Sequence, residues 1–82
     1  MTQIKTRNTT IRAVINRKEF ARGFADGRAG APWPKTIDTT WDYERGRQFG
    51  ILYPNTPLKY RRQVTNVAVH DFYTALSDGS IL

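Results

Sequence analysis

The hydrophobic and polar positions of the chain follow helical spacing in three segments, separated by short polar or proline-rich stretches. In the first segment, Asn16 followed by Glu19 matches a capping box and predicts a helix over residues 17–28. Gly30 is a natural stop, because glycine accepts the left-handed conformation that often follows a last helical turn. The predicted inward face is narrow and consists of Phe20, Ala21, Phe24 and Gly27.

A second helix is predicted from about residue 40 to residue 52, ending before Pro54. Asp38, Thr39 and Thr40 offer its N-cap, and Asp42 and Glu44 fall in its first turn, where the helix dipole favours acids. One stripe of this helix holds Trp41, Arg45, Gln48, Phe49 and Leu52. Before it, Ala31-Pro32-Trp33-Pro34 reads as an extended hinge, with Trp33 either tucked under the loop or left as a stacking surface.

A third helix is predicted from Pro57, capped by Thr56, to Gly79. Its inward positions would be Leu58, Tyr60, Val64, Val67, Ala68, Phe72, Ala75 and Leu76. Residues 11–15 alternate in polarity, which indicates a short edge strand or an extended entry segment. Residues 1–10 are polar and read as a flexible basic arm. The expected fold is therefore all-α, a small three-helix domain over residues 11–82 that follows this arm.

Composition argues against catalysis and against metal or cofactor chemistry. The chain has no cysteine and a single histidine, His70. Neighbouring side chains on a helix point about 100° apart, so Asp71 is poorly placed to orient His70 as a general base. Helix capping accounts for Asp38 and Asp42 better than a metal site does. No window approaches the roughly 18 apolar residues of a membrane span. We expect a cytoplasmic binding protein that is not an enzyme and has no cofactor and no small-molecule substrate.

Charge points to an anionic partner. The 82 residues carry thirteen Lys and Arg against seven Asp and Glu, a net charge of +6. All thirteen cations and five of the acids lie in residues 1–64, while residues 65–82 are net acidic. Most of the cations are arginine, which suits bidentate contact with phosphate. A small basic domain of this kind most often binds nucleic acid or an acidic protein that imitates nucleic acid. The alternative is that the positive charge only keeps the surface soluble.

Residues 20–27 and 43–50 share one motif at a shift of 23 residues: an aromatic residue, any residue, Arg-Gly, three residues and Gly. Gly23 and Gly27, like Gly46 and Gly50, lie one helical turn apart, where glycine weakens a helix by up to about 1 kcal/mol each. Such spacing predicts a close crossing of two helices, with Arg22 and Arg45 in comparable places on one surface.

The first helix, the loop and the start of the second helix resemble the ribosome modulation factor family over residues 19–50. The matching positions are Arg22-Gly23-Phe24, Gly27, Ala29-Gly30, Pro32-Trp33, Trp41 and Gly46-Arg47. This chain departs from the family in having Ala31 where a cysteine is usual, a longer N-terminal arm and about thirty more C-terminal residues. The resemblance implies an all-helical basic domain that binds the small ribosomal subunit near the end of its RNA and stops translation.

We therefore expect binding to structured RNA, by resemblance the ribosome, to modulate translation. The candidate contact residues are Arg22, Arg28, Trp33, Arg45, Arg47, Lys59, Arg61 and Arg62. In the run that begins at Lys59, Tyr60 either stacks on a base or turns into the core. The alternative function is a small phage-type inhibitor that binds an acidic or nucleic-acid-binding surface of a host protein complex.

Overall fold

A computed structural model of the chain describes residues 10–34 and 40–81. In chain order, the elements are α1 (Ile11–Ile15), α2 (Lys18–Ala29), α3 (Trp41–Leu52), β1 (Lys59–Tyr60), β2 (Gln63–Val64) and α4 (Asn66–Ser77). The two strands pair antiparallel, with Lys59 opposite Val64 and Tyr60 opposite Gln63. The described part of the chain is thus mostly helical, as expected, with a small hairpin added between α3 and α4.

Four phenylalanines form the centre of the core. Phe20 and Phe24 come from α2, Phe49 from α3 and Phe72 from α4, and all four are buried. The Phe20 and Phe72 rings meet edge to face with centroids 5.1 Å apart, and Phe49 lies 5.4 Å from Phe72. Aromatic pairs favour these tilted geometries. The core therefore joins α4 to the α2–α3 pair, and Val14, Ile15, Val64, Ala68, Ala75 and Ile81 surround it.

The segment predicted as a strand or an extended entry is a helix. Thr10 caps α1, its hydroxyl accepting from the Ala13 N–H at 3.1 Å. Ile11 is half-buried and Val14 and Ile15 are buried, and their spacing of three and four residues is helical. The alternation seen in the sequence was too short to distinguish this face from a strand. The predicted arm spans residues 1–10; Thr10 belongs to α1 as its N-cap, and residues 1–9 lie outside the described residues.

The capping box at Asn16 and Glu19 is wrong. Asn16 ends α1 instead, its N–H donating to the Arg12 carbonyl, and α2 begins after Arg17 with no side-chain cap. Glu19 pairs with Arg22 at 2.9 Å. Because the chain turns from α1 directly into α2, the residue that the motif needs as an N-cap is already a C-cap. The predicted end at Gly30 is confirmed, with φ of 69° in the left-handed region.

The second helix is confirmed from Trp41 to Leu52, with Thr40 as N-cap accepting from the Tyr43 N–H at 3.1 Å. Asp38 and Thr39, the other cap candidates, lie outside the described residues. The predicted stripe is only partly correct. Trp41 and Leu52 are exposed, and the face turned inward holds Tyr43, Gly46, Arg47, Phe49 and Gly50.

The third helix begins nine residues later than predicted, at Asn66. Thr65 is its N-cap, accepting from the Ala68 N–H at 3.0 Å, while its hydroxyl donates to the Pro57 carbonyl at 2.6 Å. Val64, Ala68, Phe72 and Ala75 face inward as expected. The predicted inward positions Tyr60, Val67 and Leu76 are exposed, and Leu58 is half-buried. Ile81, beyond the predicted end of this helix at Gly79, is buried in the core.

Candidate nucleic-acid interface

The two glycine motifs pack directly against each other where α2 crosses α3. A Cβ at Gly23 would overlap the Tyr43 carbonyl oxygen, and a Cβ at Gly46 would overlap that of Phe20. Gly27 and Gly50 meet the carbonyls of Arg47 and Phe24 in the same way. Each glycine thus faces the carbonyl three residues before the matching glycine of the other helix. The close crossing predicted from the repeat is confirmed, and it is approximately two-fold symmetric.

The crossing also fixes the direction of the helices. Phe20 lies against Gly46 and Phe24 against Gly50, so the contacts advance together along α2 and α3. The two helices therefore run in the same general direction. Carbonyl oxygens that point at glycine Cα–H groups make the weak hydrogen bonds that recur at helix–helix interfaces. Small residues let the backbones approach this closely, since no side chain separates them.

A buried polar network joins the crossing to the proline-flanked loop. The fully buried Tyr43 donates its hydroxyl proton to Asp26 Oδ2 at 2.6 Å. Arg47 Nη1 donates to the Tyr43 hydroxyl oxygen at 3.2 Å, and Arg47 Nη2 donates to the Ala31 carbonyl. Burial first, and then the hydrogen bond to Asp26, raises the pKa of Tyr43 above its ordinary value. The network fastens the loop after α2 onto the middle of α3.

Trp33 covers this network from outside. Its ring meets Tyr43 edge to face at 5.9 Å, and the Arg47 guanidinium lies 4.5 Å from the Trp33 centroid. The side chain nevertheless stays 55% exposed, so Trp33 is both anchored and open to a stacking partner. Arg47 differs from its prediction as a phosphate contact: it is only 7% exposed, and the Ala31 carbonyl, Tyr43 and Trp33 engage its guanidinium. Its observed contacts give Arg47 a structural role.

The other predicted arginines of the helix pair are less alike than the repeat suggested. The Arg22 side chain is 49% exposed, pairs with Glu19 and lies 4.9 Å from the Tyr43 ring centroid. The Arg45 side chain is only 14% exposed and stacks on the exposed Trp41 at 4.9 Å. Arg28 is exposed at the end of α2, above Phe24. These three cations belong to the same helix pair, but a partner could reach Arg22 and Arg28 more easily than Arg45.

The hairpin carries the remaining predicted residues. Arg61 and Arg62 form its two-residue turn, with φ of 52° and 70°. Positive φ at both positions is the arrangement of a type I′ turn, in which Asn-Gly is the preferred pair. The left-handed backbone crowds the Cβ of most other residues, at a cost of about 1 kcal/mol or more for each. Lys59, Arg61 and Arg62 are all exposed, and Tyr60 is 67% exposed. The sequence allows Tyr60 to lie either in the core or on the surface. In the hairpin it lies on the surface, with the Arg61 guanidinium 5.3 Å from the centroid of its ring.

A shallow groove runs beside the hairpin. Thr10, Arg12, Ala13, Asn16, Arg62, Gln63 and Val64 line it. Arg12 fastens its two walls together, because its guanidinium donates to the Val64 carbonyl and to Asn66 Oδ1, the latter at 2.6 Å. Sequence reasoning missed Arg12 and Gln63, since neither belongs to a motif and only the hairpin brings them beside Arg62.

The described residues hold no cluster of three or more His, Asp or Glu that could bind a metal. His70 is exposed, and Asp71 accepts a 2.8 Å hydrogen bond from the Thr56 hydroxyl rather than orienting the imidazole. Among residues 10–34 and 40–81, no helix is long and apolar enough to cross a membrane.

Comparison with family models, with characterised proteins and with solved structures finds no match. The residues that carry the resemblance to ribosome modulation factors lie in the α2–α3 pair and its loop. Several of them, including Gly23, Phe24, Gly27, Gly46 and Arg47, are buried at or beside the crossing. The resemblance therefore rests largely on how two helices pack, and the hairpin lies outside it.

Proposed function

We propose that this protein binds structured RNA through the hairpin and adjoining cations, and that it modulates translation by doing so. The hairpin tip is the observation that carries the proposal. Two arginines occupy a turn whose geometry favours Asn-Gly, directly after an exposed tyrosine. Residues held in sparsely populated backbone regions cluster at functional sites. Cations beside an exposed ring are the groups that contact phosphate and stack on bases.

The cations of the hairpin are available to a partner. Within the described residues, the side chains of Lys59, Arg61 and Arg62 have no ion pair or hydrogen bond, and the Arg61 guanidinium lies over the Tyr60 ring. By contrast, Arg17 pairs with Asp42 at 3.0 Å and Arg22 with Glu19. Unpaired arginines on a projecting turn favour an anionic ligand, because they need no rearrangement to meet one.

The helix pair supplies a second, weaker set of contacts in this proposal. Arg22 and Arg28 extend the positive surface, and the exposed rings of Trp33 and Trp41 offer further stacking positions. The ribosome is the partner that the resemblance implies. Ribosomal RNA and other structured RNAs present the same phosphates and bases to these side chains. No catalytic step is proposed, and the activity is binding.

A second candidate is an inhibitor of a host protein complex. Tyr73 and Leu76 are exposed three residues apart on α4, and Ile51 and Leu52 are exposed at the end of α3. Exposed apolar and aromatic side chains are common anchors of protein interfaces. This candidate shares the charge of the first and differs from it in the partner.

Capture from a cell lysate, with and without ribonuclease, tests the proposal. Tagged protein is expected to retain RNA, and ribonuclease is expected to release most of the captured material. A matched pair of variants locates the surface: Arg61→Glu with Arg62→Glu, and Arg22→Glu with Arg28→Glu, both with the same change in charge. The hairpin variant should lose most RNA. Protein capture that ribonuclease does not disturb, with no RNA retained, would contradict RNA binding and support the inhibitor.

A further inference from the structure

We infer that the hairpin binds an unpaired nucleotide, in a loop or a single strand of RNA, and that the flanking phosphates lie along Arg62 and Arg12 in the groove beside it. This inference rests on the proposed function and names the class of RNA that the hairpin would select. Its central feature is the outer face of the hairpin, defined here as Tyr60 and Gln63.

Strand pairing puts these two side chains together. Tyr60 and Gln63 are directly opposite each other in the antiparallel pair, so they project from the same face. The other pair, Lys59 and Val64, projects from the opposite face, where Val64 is buried in the core. The outer face is therefore turned away from the core, and both of its side chains are exposed.

The chemistry of this face suits a single base. The Tyr60 ring is 67% exposed even with Arg61 beside it, which leaves ring surface open for stacking. Within the described residues the Gln63 amide has no hydrogen bond, so its donor and acceptor are free to meet a base edge. An aromatic ring next to an amide matches how unpaired RNA bases are recognised, by stacking and by hydrogen bonds to their edges.

The surroundings indicate where the phosphates lie. Gln63 and Arg62 also line the groove that reaches Arg12 and Asn16 on α1. An RNA backbone that leaves the stacked base along this groove passes Arg62 first. It then passes Arg12, whose guanidinium already donates to the Val64 carbonyl and to Asn66 Oδ1. Proteins that bind single-stranded nucleic acids commonly hold the backbone in a positively charged groove while aromatic side chains stack on the bases.

Continuous duplex does not fit this face as well. In a duplex the base faces are covered by neighbouring pairs, so the Tyr60 ring has no free π-face to stack on. The major groove of A-form RNA is deep and narrow, which prevents side chains from reading the bases. With strands of two residues each, the hairpin is also short. Selection for unpaired nucleotides is the expected result.

Fluorescence anisotropy with three labelled RNAs of equal length tests the inference: an unstructured strand, a stem-loop and a blunt duplex. Wild-type protein should bind the first two more tightly than the duplex. Tyr60→Leu should weaken loop and single-strand binding by about tenfold or more, the effect of losing one stacked base. The same variant should leave duplex binding within about twofold, since duplex contacts are to phosphate.

Tyr73→Leu is the matched control, because Tyr73 is exposed to a similar extent, at 59%, on α4. It should change none of the three affinities. Tyr60→Phe, which keeps the ring, should bind loop RNA as tightly as wild type, and retained duplex binding by Tyr60→Leu would show that its loss does not come from unfolding of the hairpin. Equal binding of duplex and loop, or full loop affinity in Tyr60→Leu, would overturn this inference and leave RNA binding standing. Binding of none of the three RNAs would instead overturn the proposed function.

Discussion

At the scale of single residues, four glycines and one tyrosine determine how α2 and α3 meet. Gly23 and Gly46 lie where a Cβ would fall 2.9 Å from backbone atoms of the opposite helix as well as on its carbonyl oxygens. Tyr43 is fully buried beside them and ties α3 to Asp26. Backbone cannot yield as a flexible side chain can, so even one methyl group has to move a helix.

Overpacking in Gly23→Ala and in Gly46→Ala should therefore each cost about 3 kcal/mol of unfolding free energy, the upper end for overpacked cores, because the clash is with backbone. The better helix propensity of alanine, worth about 1 kcal/mol, offsets only part of this cost. Urea unfolding followed by circular dichroism measures the effect. Ala25→Leu, at an exposed position of the same helix, is the control and should change stability by no more than about 0.5 kcal/mol. Wild-type stability in both alanine variants would mean that the helices do not cross at the glycines.

Tyr43 predicts how stability depends on alkaline pH. Because its pKa is raised in the folded protein, its contribution is complete below about pH 9, well under the ordinary tyrosine pKa of about 10, where an unfolded tyrosine is still neutral. As the pH rises further, the unfolded chain releases this proton first and stability falls until the folded pKa is passed. Tyr43→Phe should lose less stability than wild type between pH 9 and pH 11, measured by urea unfolding at about half-unit steps.

The same substitution should cost about 1 kcal/mol at neutral pH, since the hydrogen bond to Asp26 is lost. Tyr73→Phe controls for removal of a phenol at an exposed position. An identical alkaline loss of stability in wild type and Tyr43→Phe would show that Tyr43 is not the group responsible.

At the scale of elements, the hairpin between α3 and α4 has two residues that are unfavourable in its turn, Arg61 and Arg62, and these also carry most of its positive charge. Its strands are held by their pairing, by Val64 in the core and by the Arg12 hydrogen bond to the Val64 carbonyl. These attachments keep Arg61 and Arg62 in the left-handed region although asparagine and glycine suit it better. Stability and binding should therefore respond in opposite directions to a change at the turn.

Arg61→Asn with Arg62→Gly supplies the preferred turn residues and removes both charges. We expect the unfolding free energy to rise by about 1 kcal/mol, as strain at the two positions is relieved. RNA affinity should fall at least tenfold in the same variant, because two phosphate contacts are removed. Urea unfolding and an anisotropy titration on one preparation measure both effects. A loss of stability would show that the turn is not strained, and unchanged affinity would remove the hairpin from the interface.

The elements differ in how far their sequence predicts them. α3 was predictable because Thr40 caps it, acids occupy its first turn and Pro54 follows its end. The crossing was predictable because Gly23 and Gly46 recur in one motif, and glycine within a helix points to a close neighbour. The hairpin was not, because Arg-Arg is an uncommon type I′ turn and Pro57 suits the first turn of a helix equally well.

The candidate site was predictable as a set of cations but not as an arrangement. Arg47 carries the same charge as Arg62 in the sequence, and only the fold separates the buried guanidinium under Trp33 from the exposed one on the hairpin. Gln63 had no signal, because its relevance depends on standing opposite Tyr60.

At the scale of the whole molecule, the packed core and the proposed RNA-binding surface occupy different parts of the described chain. The α2–α3 pair and the phenylalanine core hold the fold. Within the described residues, the hairpin presents three exposed cations without an ion pair, Lys59, Arg61 and Arg62. With a net charge of +6, the whole protein should attract RNA over distances of about a Debye length, roughly 10 Å at 0.1 M salt.

The most direct test of the account is the salt dependence of RNA affinity, measured for wild type and for Arg61→Asn with Arg62→Gly on one stem-loop RNA. Each phosphate contact on a single strand contributes about 0.7 to the slope of log K against log salt concentration. The hairpin variant should therefore have a slope smaller by about 1.4, as expected for two lost contacts. Arg22→Gln with Arg28→Gln, which removes the same charge, should reduce the slope less. Equal slopes in wild type and the hairpin variant, or a reduction confined to the Arg22 and Arg28 variant, would contradict the claim that the hairpin is where this protein holds RNA.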